Sequence, residues 1–83
     1  MQIKVLGTGC DKCKKLYAEV EKALATSRTS AELEKVERLA DILDYGVMML
    51  PALVINNTVK AEGRIPKSTE IASWITMAAA DNG

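Results

Sequence analysis

The sequence predicts a small α/β domain, and three observations carry that expectation. A strand-like run, Ile3-Lys4-Val5-Leu6, gives way to helically spaced apolar residues just beyond Gly7-Thr8-Gly9. Two β-rich runs flank Asn56-Asn57, and a second amphipathic stretch follows Pro66. The 83 residues suit one domain spanning 1–83, near the lower limit for a self-sufficient core. Hydrophobic residues make up 48% of the chain, yet Trp74, Tyr17 and Tyr45 are its only aromatics. The core must therefore be aliphatic. One packing layer leaves little room for a broad substrate cavity, so partners should meet this chain at its surface.

Each element has a local reason. Ile3 to Leu6 ends at Gly7-Thr8-Gly9, which breaks the strand. From Cys13 onward, Leu16, Tyr17, Val20, Ala23 and Leu24 fall on one face of a helix that the polar Thr26–Ser30 segment ends. Residues 31–46 admit two readings. Thr29 with Glu32 fits a capping box, and Leu33, Val36, Ala40 and Leu43 would then form one helical stripe. Alternatively, Ala31–Val36 is a strand, followed by a short helix near Leu39–Tyr45 that Gly46 closes. Pro51 to Ile55 reads as a buried strand, and Thr58 to Glu62 returns after Asn56-Asn57, residues that tolerate positive φ. Gly63 breaks that strand. Pro66-Lys67-Ser68 opens a last helix, with Ser68 as N-cap and Ile71, Trp74, Ile75 and Ala78 facing inward.

Composition excludes several functions. Eleven Lys and Arg balance eleven Asp and Glu, so no basic field exists to attract a nucleic-acid backbone. The longest apolar run, Val47 to Ile55, contains Pro51 and is too short to span a bilayer. Met1-Gln2-Ile3-Lys4 lacks the pattern of a secretion signal, so a cytoplasmic location is expected. Cysteine usage says more. Cys10 and Cys13 are the only two cysteines, and a bridge between such near neighbours closes almost no loop. A structural staple is the wrong explanation.

The pair instead sits where a strand ends and a helix begins. The first turn of a helix offers unpaired N–H groups and a partial positive charge, which favour a thiolate. Cys10 is therefore expected to be exposed and more acidic than a free thiol. Cys13, one turn further on, lies within reach of a disulfide formed on Cys10. Between them Asp11 opposes the thiolate, while Lys12, backed by Lys14 and Lys15, favours it. Gly7 and Gly9 either free the loop for close approach to a partner or simply make a tight turn. The bland alternative for the cysteines is a pair of core residues without function. A structural zinc site would need four ligands, and the chain has no His and no third Cys. No metal or other cofactor is expected. Met48 and Met49 could form a soft partner-binding rim, although packing in or near the core is the readier expectation for both. Trp74 reads as packing.

At these residues the chain resembles the thioredoxin–glutaredoxin superfamily, and most closely its short thioredoxin-like "redox-active disulfide protein" branch. The likeness lies in Gly7-Thr8-Gly9-Cys10-Asp11-Lys12-Cys13, in Tyr45-Gly46-Val47, in Leu50-Pro51-Ala52-Leu53-Val54-Ile55 and in Ala61-Glu62-Gly63-Arg64-Ile65-Pro66. It covers nearly the whole chain. The resemblance favours strand plus helix over residues 31–46. It implies a thioredoxin-like fold of minimal order β-α-β-α-β-β-α, a four-stranded mixed sheet with three helices. It also implies that Cys10 attacks and Cys13 resolves, as a redox-active disulfide. Pro51 would be cis and face that disulfide, with the Leu50 backbone pairing with an extended partner segment and Gly63 nearby. The chain departs from thioredoxins proper in having Gly9 where they carry an aromatic residue, and Asp11-Lys12 where they carry Gly-Pro. Leu50 stands where relatives usually have Thr.

The resemblance implies protein-disulfide reduction by dithiol exchange. The expected partners are a disulfide-containing protein substrate and a reductase as electron donor, with the chain working as a monomer and without nucleic acid or membrane. A competing reading is a soft-metal carrier binding Cu(I) through the same two thiolates, since heavy-metal-associated domains place a similar loop between first strand and helix. Their next elements are two strands, a helix and a strand, which the late hairpin and the Leu50-Pro51 step do not fit. A third is a redox fold retained only as a binding module.

Overall fold

In the computed structural model, which describes residues 1–81, the chain runs β1 (Gln2–Leu6), α1 (Asp11–Ser27), β2 (Glu32–Val36), α2 (Leu39–Leu43), β3 (Ala52–Ile55), β4 (Thr58–Glu62) and α3 (Ser68–Asp81). The four strands lie in the order β2-β1-β3-β4. β1 runs parallel to β2 and antiparallel to β3, and β3 runs antiparallel to β4. This is the expected mixed sheet with three helices.

Side-chain alternation divides the core between the two faces of the sheet. Ile3, Val5, Leu53 and Ile55 pack with Leu16, Val20 and Ala23 of α1 and with Ile71 and Ile75 of α3. Leu6, Val36, Ala52 and Val54 pack with Ile42 of α2 and with Val47. The β3 side chains are buried on both faces, so its sequence reads as a continuous apolar run rather than an alternating one. The edge strand β2 exposes Glu32, Glu34 and Lys35, charges that discourage pairing with another chain.

Residues 31–46 adopt the strand-plus-helix reading. Glu32, the would-be capping residue, is the first residue of β2, and its N–H donates to the Met1 carbonyl (2.9 Å). Five residue pairs, Gln2↔Glu32 through Leu6↔Val36, join the two strands, and that long-range pairing outweighs local helix propensity. α2 ends at Leu43, two residues before the expected end. The N–H groups of Tyr45 and Gly46 turn back to the Ile42 and Leu43 carbonyls (3.1 and 3.0 Å), tightening the last turn. Gly46 has φ +72°.

Two other expectations are corrected. Ser68 is the first helical residue of α3, and the Lys67 carbonyl accepts the bond from Ile71 N–H (3.0 Å), so the N-cap position falls on Lys67. Met48 and Met49 are not core: they are 92% and 61% exposed. The turn between α2 and β3 carries them outside both apolar clusters. Trp74 is partly buried on α3, and the Arg64 guanidinium, bonded to Glu70 (2.8 Å), lies 5.9 Å from its ring centroid.

The central position of β3 leads to a measurable expectation. Leu53 is completely buried between α1 and α3, and Leu53→Ala should cost about 2–5 kcal/mol in urea denaturation of the reduced protein. A loss under about 1 kcal/mol would contradict this account of the core.

Candidate active site

The first N–H groups of any α-helix have no partner within the helix. At α1 a sulfur supplies one. Cys10 is the N-cap, extended at φ −75°, ψ 167°, and its Sγ accepts a hydrogen bond from the Cys13 N–H (3.3 Å). The Cys10 carbonyl accepts from the Lys14 N–H (3.1 Å) and starts the helical ladder. Cys10 is exposed, whereas Cys13, one turn into the helix, is only 7% exposed. Both are free thiols.

This arrangement separates the two sulfurs chemically. The Cys10 thiol is held below its ordinary range, first by the side-chain hydrogen bond from Cys13 and then by the Cys13 N–H, both of which favour its thiolate. The Cys13 thiol is pushed up, first by burial and then because its proton is shared with Cys10. The exposed sulfur is thus the more acidic of the two and the buried one the less. Lys12 acts on Cys10 through its backbone N–H. The side-chain charges of Asp11 and Lys12, expected to tune the thiol, are not among the causes of its shift.

The two glycines before the pair serve different needs. Gly9 has φ +81°, a conformation that side chains rarely adopt. At Gly7 the requirement is space: a Cβ there would overlap the Sγ of Cys13 and lie 3.1 Å from its Cβ. The Gly7 N–H donates to the Val36 carbonyl (3.0 Å), which ties this loop to the end of β2. Beside it a cleft of about 180 Å³ reaches Cys13, lined also by Lys14, Lys35 and Glu37. That volume is large enough for several waters beside Cys13.

Sheet register gathers the remaining residues. Leu6 at the end of β1 lies opposite Val36 at the end of β2 and Ala52 at the start of β3, and Ala52 lies opposite Glu62 at the end of β4. The Gly7–Cys13 loop, Glu37, the Leu50–Pro51 step and Glu62–Gly63 therefore share one end of the sheet. The Leu50–Pro51 bond is cis. Pro51 is buried, its carbonyl accepting from the Gly63 N–H (2.8 Å), while Leu50 is 36% exposed. Among the described residues, no backbone hydrogen bond involves Leu50. Gly63 thus supports this loop through an N–H already engaged.

Residues 1–76 match the thioredoxin domain family. The chain belongs to that family. It is 34% identical over 71 residues to a thioredoxin of Methanothermobacter thermautotrophicus, covering 86% of this chain and 92% of that protein. It is 35% identical over 69 residues to a thioredoxin of Methanocaldococcus jannaschii, covering 83% of this chain and 79% of that one. A thioredoxin-type fold accounts for the shared sheet end in this chain, since its topology places the loop after β1 beside the loop before β3.

Among the described residues, no group of three or more His, Cys, Asp or Glu is placed to hold a metal ion, and no helix is long and apolar enough to cross a membrane. Sequence reasoning missed Glu37, Glu62 and the steric role of Gly7. A pattern of glycines before a cysteine signals a turn, and nothing local discloses which atom the missing Cβ makes room for. Gly7→Ala should displace Cys13, costing about 1–3 kcal/mol of stability and slowing closure of a Cys10–Cys13 disulfide. Urea denaturation together with stopped-flow oxidation would measure both, and a fully active, equally stable variant would refute the packing argument.

Proposed function

We propose that this chain reduces disulfides in partner proteins by dithiol exchange through Cys10 and Cys13. Family membership makes it a thiol–disulfide oxidoreductase in kind; the direction of transfer, the substrate class and the residue roles are the proposal. The observation that carries it is the exposed Cys10 sulfur at the N-cap of α1, hydrogen-bonded to the N–H of the buried cysteine one turn on.

The Cys10 thiolate attacks one sulfur of the partner disulfide. A mixed disulfide forms and the partner's other sulfur leaves as a thiolate, which takes up a proton. The Cys13 thiol then loses its proton and attacks the Cys10 sulfur, releasing the second partner thiol and closing the Cys10–Cys13 disulfide. Two electrons pass to the partner. A dithiol reductase returns them and restores both thiols. The high proton affinity of Cys13 keeps it from competing in the first step. The water-accessible cleft beside Lys14, Lys35 and Glu37 supplies an outlet for its proton in the second. Leu50, with its backbone unengaged and its side chain part exposed, is where an extended partner segment would pair during both steps.

The two closely spaced cysteines suit a reducing compartment, and we place the protein in the cytosol, working as a monomer. The Cu(I)-carrier reading is not favoured, because the order β-α-β-α-β-β-α differs from that of heavy-metal-associated domains.

The sign of the Cys10 shift sets the pH dependence. A lowered thiol pKa means that the alkylation rate of Cys10 with iodoacetamide levels off at a lower pH than that of free cysteine. In the Cys10→Ser variant, Cys13 should react slowly at neutral pH, since burial is the largest cause of its raised pKa. Cys13→Ser should trap a mixed disulfide with reduced-and-reoxidised partner protein, detectable by mass, and should lose insulin reduction with dithiothreitol. Equal titration of Cys10 and free cysteine would sink the mechanism.

A further inference from the structure

The segment before Pro51 presents three consecutive backbone N–H groups, those of Met48, Met49 and Leu50. Two are already taken. The Glu62 Oε1 accepts from the Met48 N–H (2.7 Å) and from the Met49 N–H (3.3 Å). Both bonds cross from the end of β4 to the loop before β3. The next residue adds two more ties: the Gly63 N–H donates to the Pro51 carbonyl, and the Met49 side chain fills the space that a Gly63 Cβ would enter, with Cε 2.9 Å and Cβ 3.0 Å from that point. The apolar core anchors the loop at Val47 and Pro51, but Met48 and Met49 between them are largely exposed and gain no hold from it. There the loop's conformation depends on polar ties, and charge-assisted bonds are the stronger kind.

We propose that Glu62 is a positioning residue for partner binding: by occupying the Met48 and Met49 N–H groups it leaves Leu50 as the free donor of these three exposed residues, so that a partner strand can pair there in a single register. This rests on the disulfide-exchange reading above. An extended partner segment seeks alternating donors and acceptors. Were the Met48 and Met49 donors free, it could engage the loop one or two residues out of step, carrying its disulfide away from Cys10. Glu62 accepts its hydrogen bonds from the Met48 and Met49 N–H groups and not from either cysteine. Its effect therefore falls on recognition of a polypeptide and not on sulfur chemistry itself.

The test compares two oxidants, insulin and the small disulfide 5,5′-dithiobis(2-nitrobenzoate), with dithiothreitol as the electron source. In Glu62→Ala the KM for insulin should rise about tenfold, the order expected for losing charge-assisted bonds, with kcat within about twofold. The KM for the small disulfide should change far less, because it has no backbone to align. Glu62→Gln keeps an acceptor oxygen and should restore most of the insulin KM. Amide hydrogen exchange should quicken at Met48 and Met49 in Glu62→Ala and stay slow in Glu62→Gln. The inference is overturned if Glu62→Ala leaves the insulin KM unchanged, if both oxidants suffer equally, or if Glu62→Gln behaves like Glu62→Ala. If the wild-type protein reduces neither oxidant, the disulfide-exchange reading fails, and the exchange data at Met48 and Met49 alone still decide whether Glu62 braces the loop.

Discussion

A sulfur at the N-cap of α1 is the interaction on which the rest of the site depends. Helix capping ordinarily uses a side-chain oxygen to satisfy an orphan N–H. Here the acceptor is the Cys10 Sγ, and the donor belongs to the other cysteine of the pair. The demand of the helix for an acceptor, and the demand for a thiolate that the proposed exchange would make, are met by one contact. The same geometry makes the two cysteines unequal, since entering the helix by one turn carries Cys13 into the protein while Cys10 remains at its mouth.

That contact has value only because the sheet brings other chain segments to it. Parallel pairing of β1 with β2 and antiparallel pairing of β1 with β3 align Leu6, Val36 and Ala52 at one level. Residues just beyond that level, from four separate stretches of chain, become neighbours. Gly7 shows how tight the convergence is: the main chain passes so near the Cys13 sulfur that no side chain fits between them. A cleft lined by Gly7, Gly9, Cys13, Lys14, Lys35 and Glu37 opens at the same place.

The far end of the site is held differently. Between the buried Val47 and Pro51, Met48, Met49 and Leu50 have little apolar anchorage, and the loop is tied by hydrogen bonds to Glu62 and from Gly63. On the proposed reading, exposed methionine would let this surface adapt its shape to a partner over a backbone that is fixed beneath. Rigid main chain and soft side chains are here supplied by separate residues.

Much of this was legible in the linear chain. The helical spacing of Leu16, Val20 and Ala23, the Asn56-Asn57 turn and the placement of Cys10 and Cys13 at a strand-to-helix junction are local features, governed by interactions a few residues in range. Residues 31–46 were ambiguous because local propensity and long-range pairing disagree there, and only the β1–β2 ladder decides between them. Met48 and Met49 were misread because hydrophobicity alone does not reveal which side of a turn faces the core. Sequence by itself thus determined the elements outside residues 31–46 and the placing of the two cysteines at a helix entrance. Tertiary structure alone decided which atom Gly7 makes room for, because the path of the loop into α1 sets it, and that Glu37 borders the cleft at Cys13 and Glu62 grips a loop 13 and 14 residues away, because strand register, which no short stretch of sequence encodes, brings those stretches together.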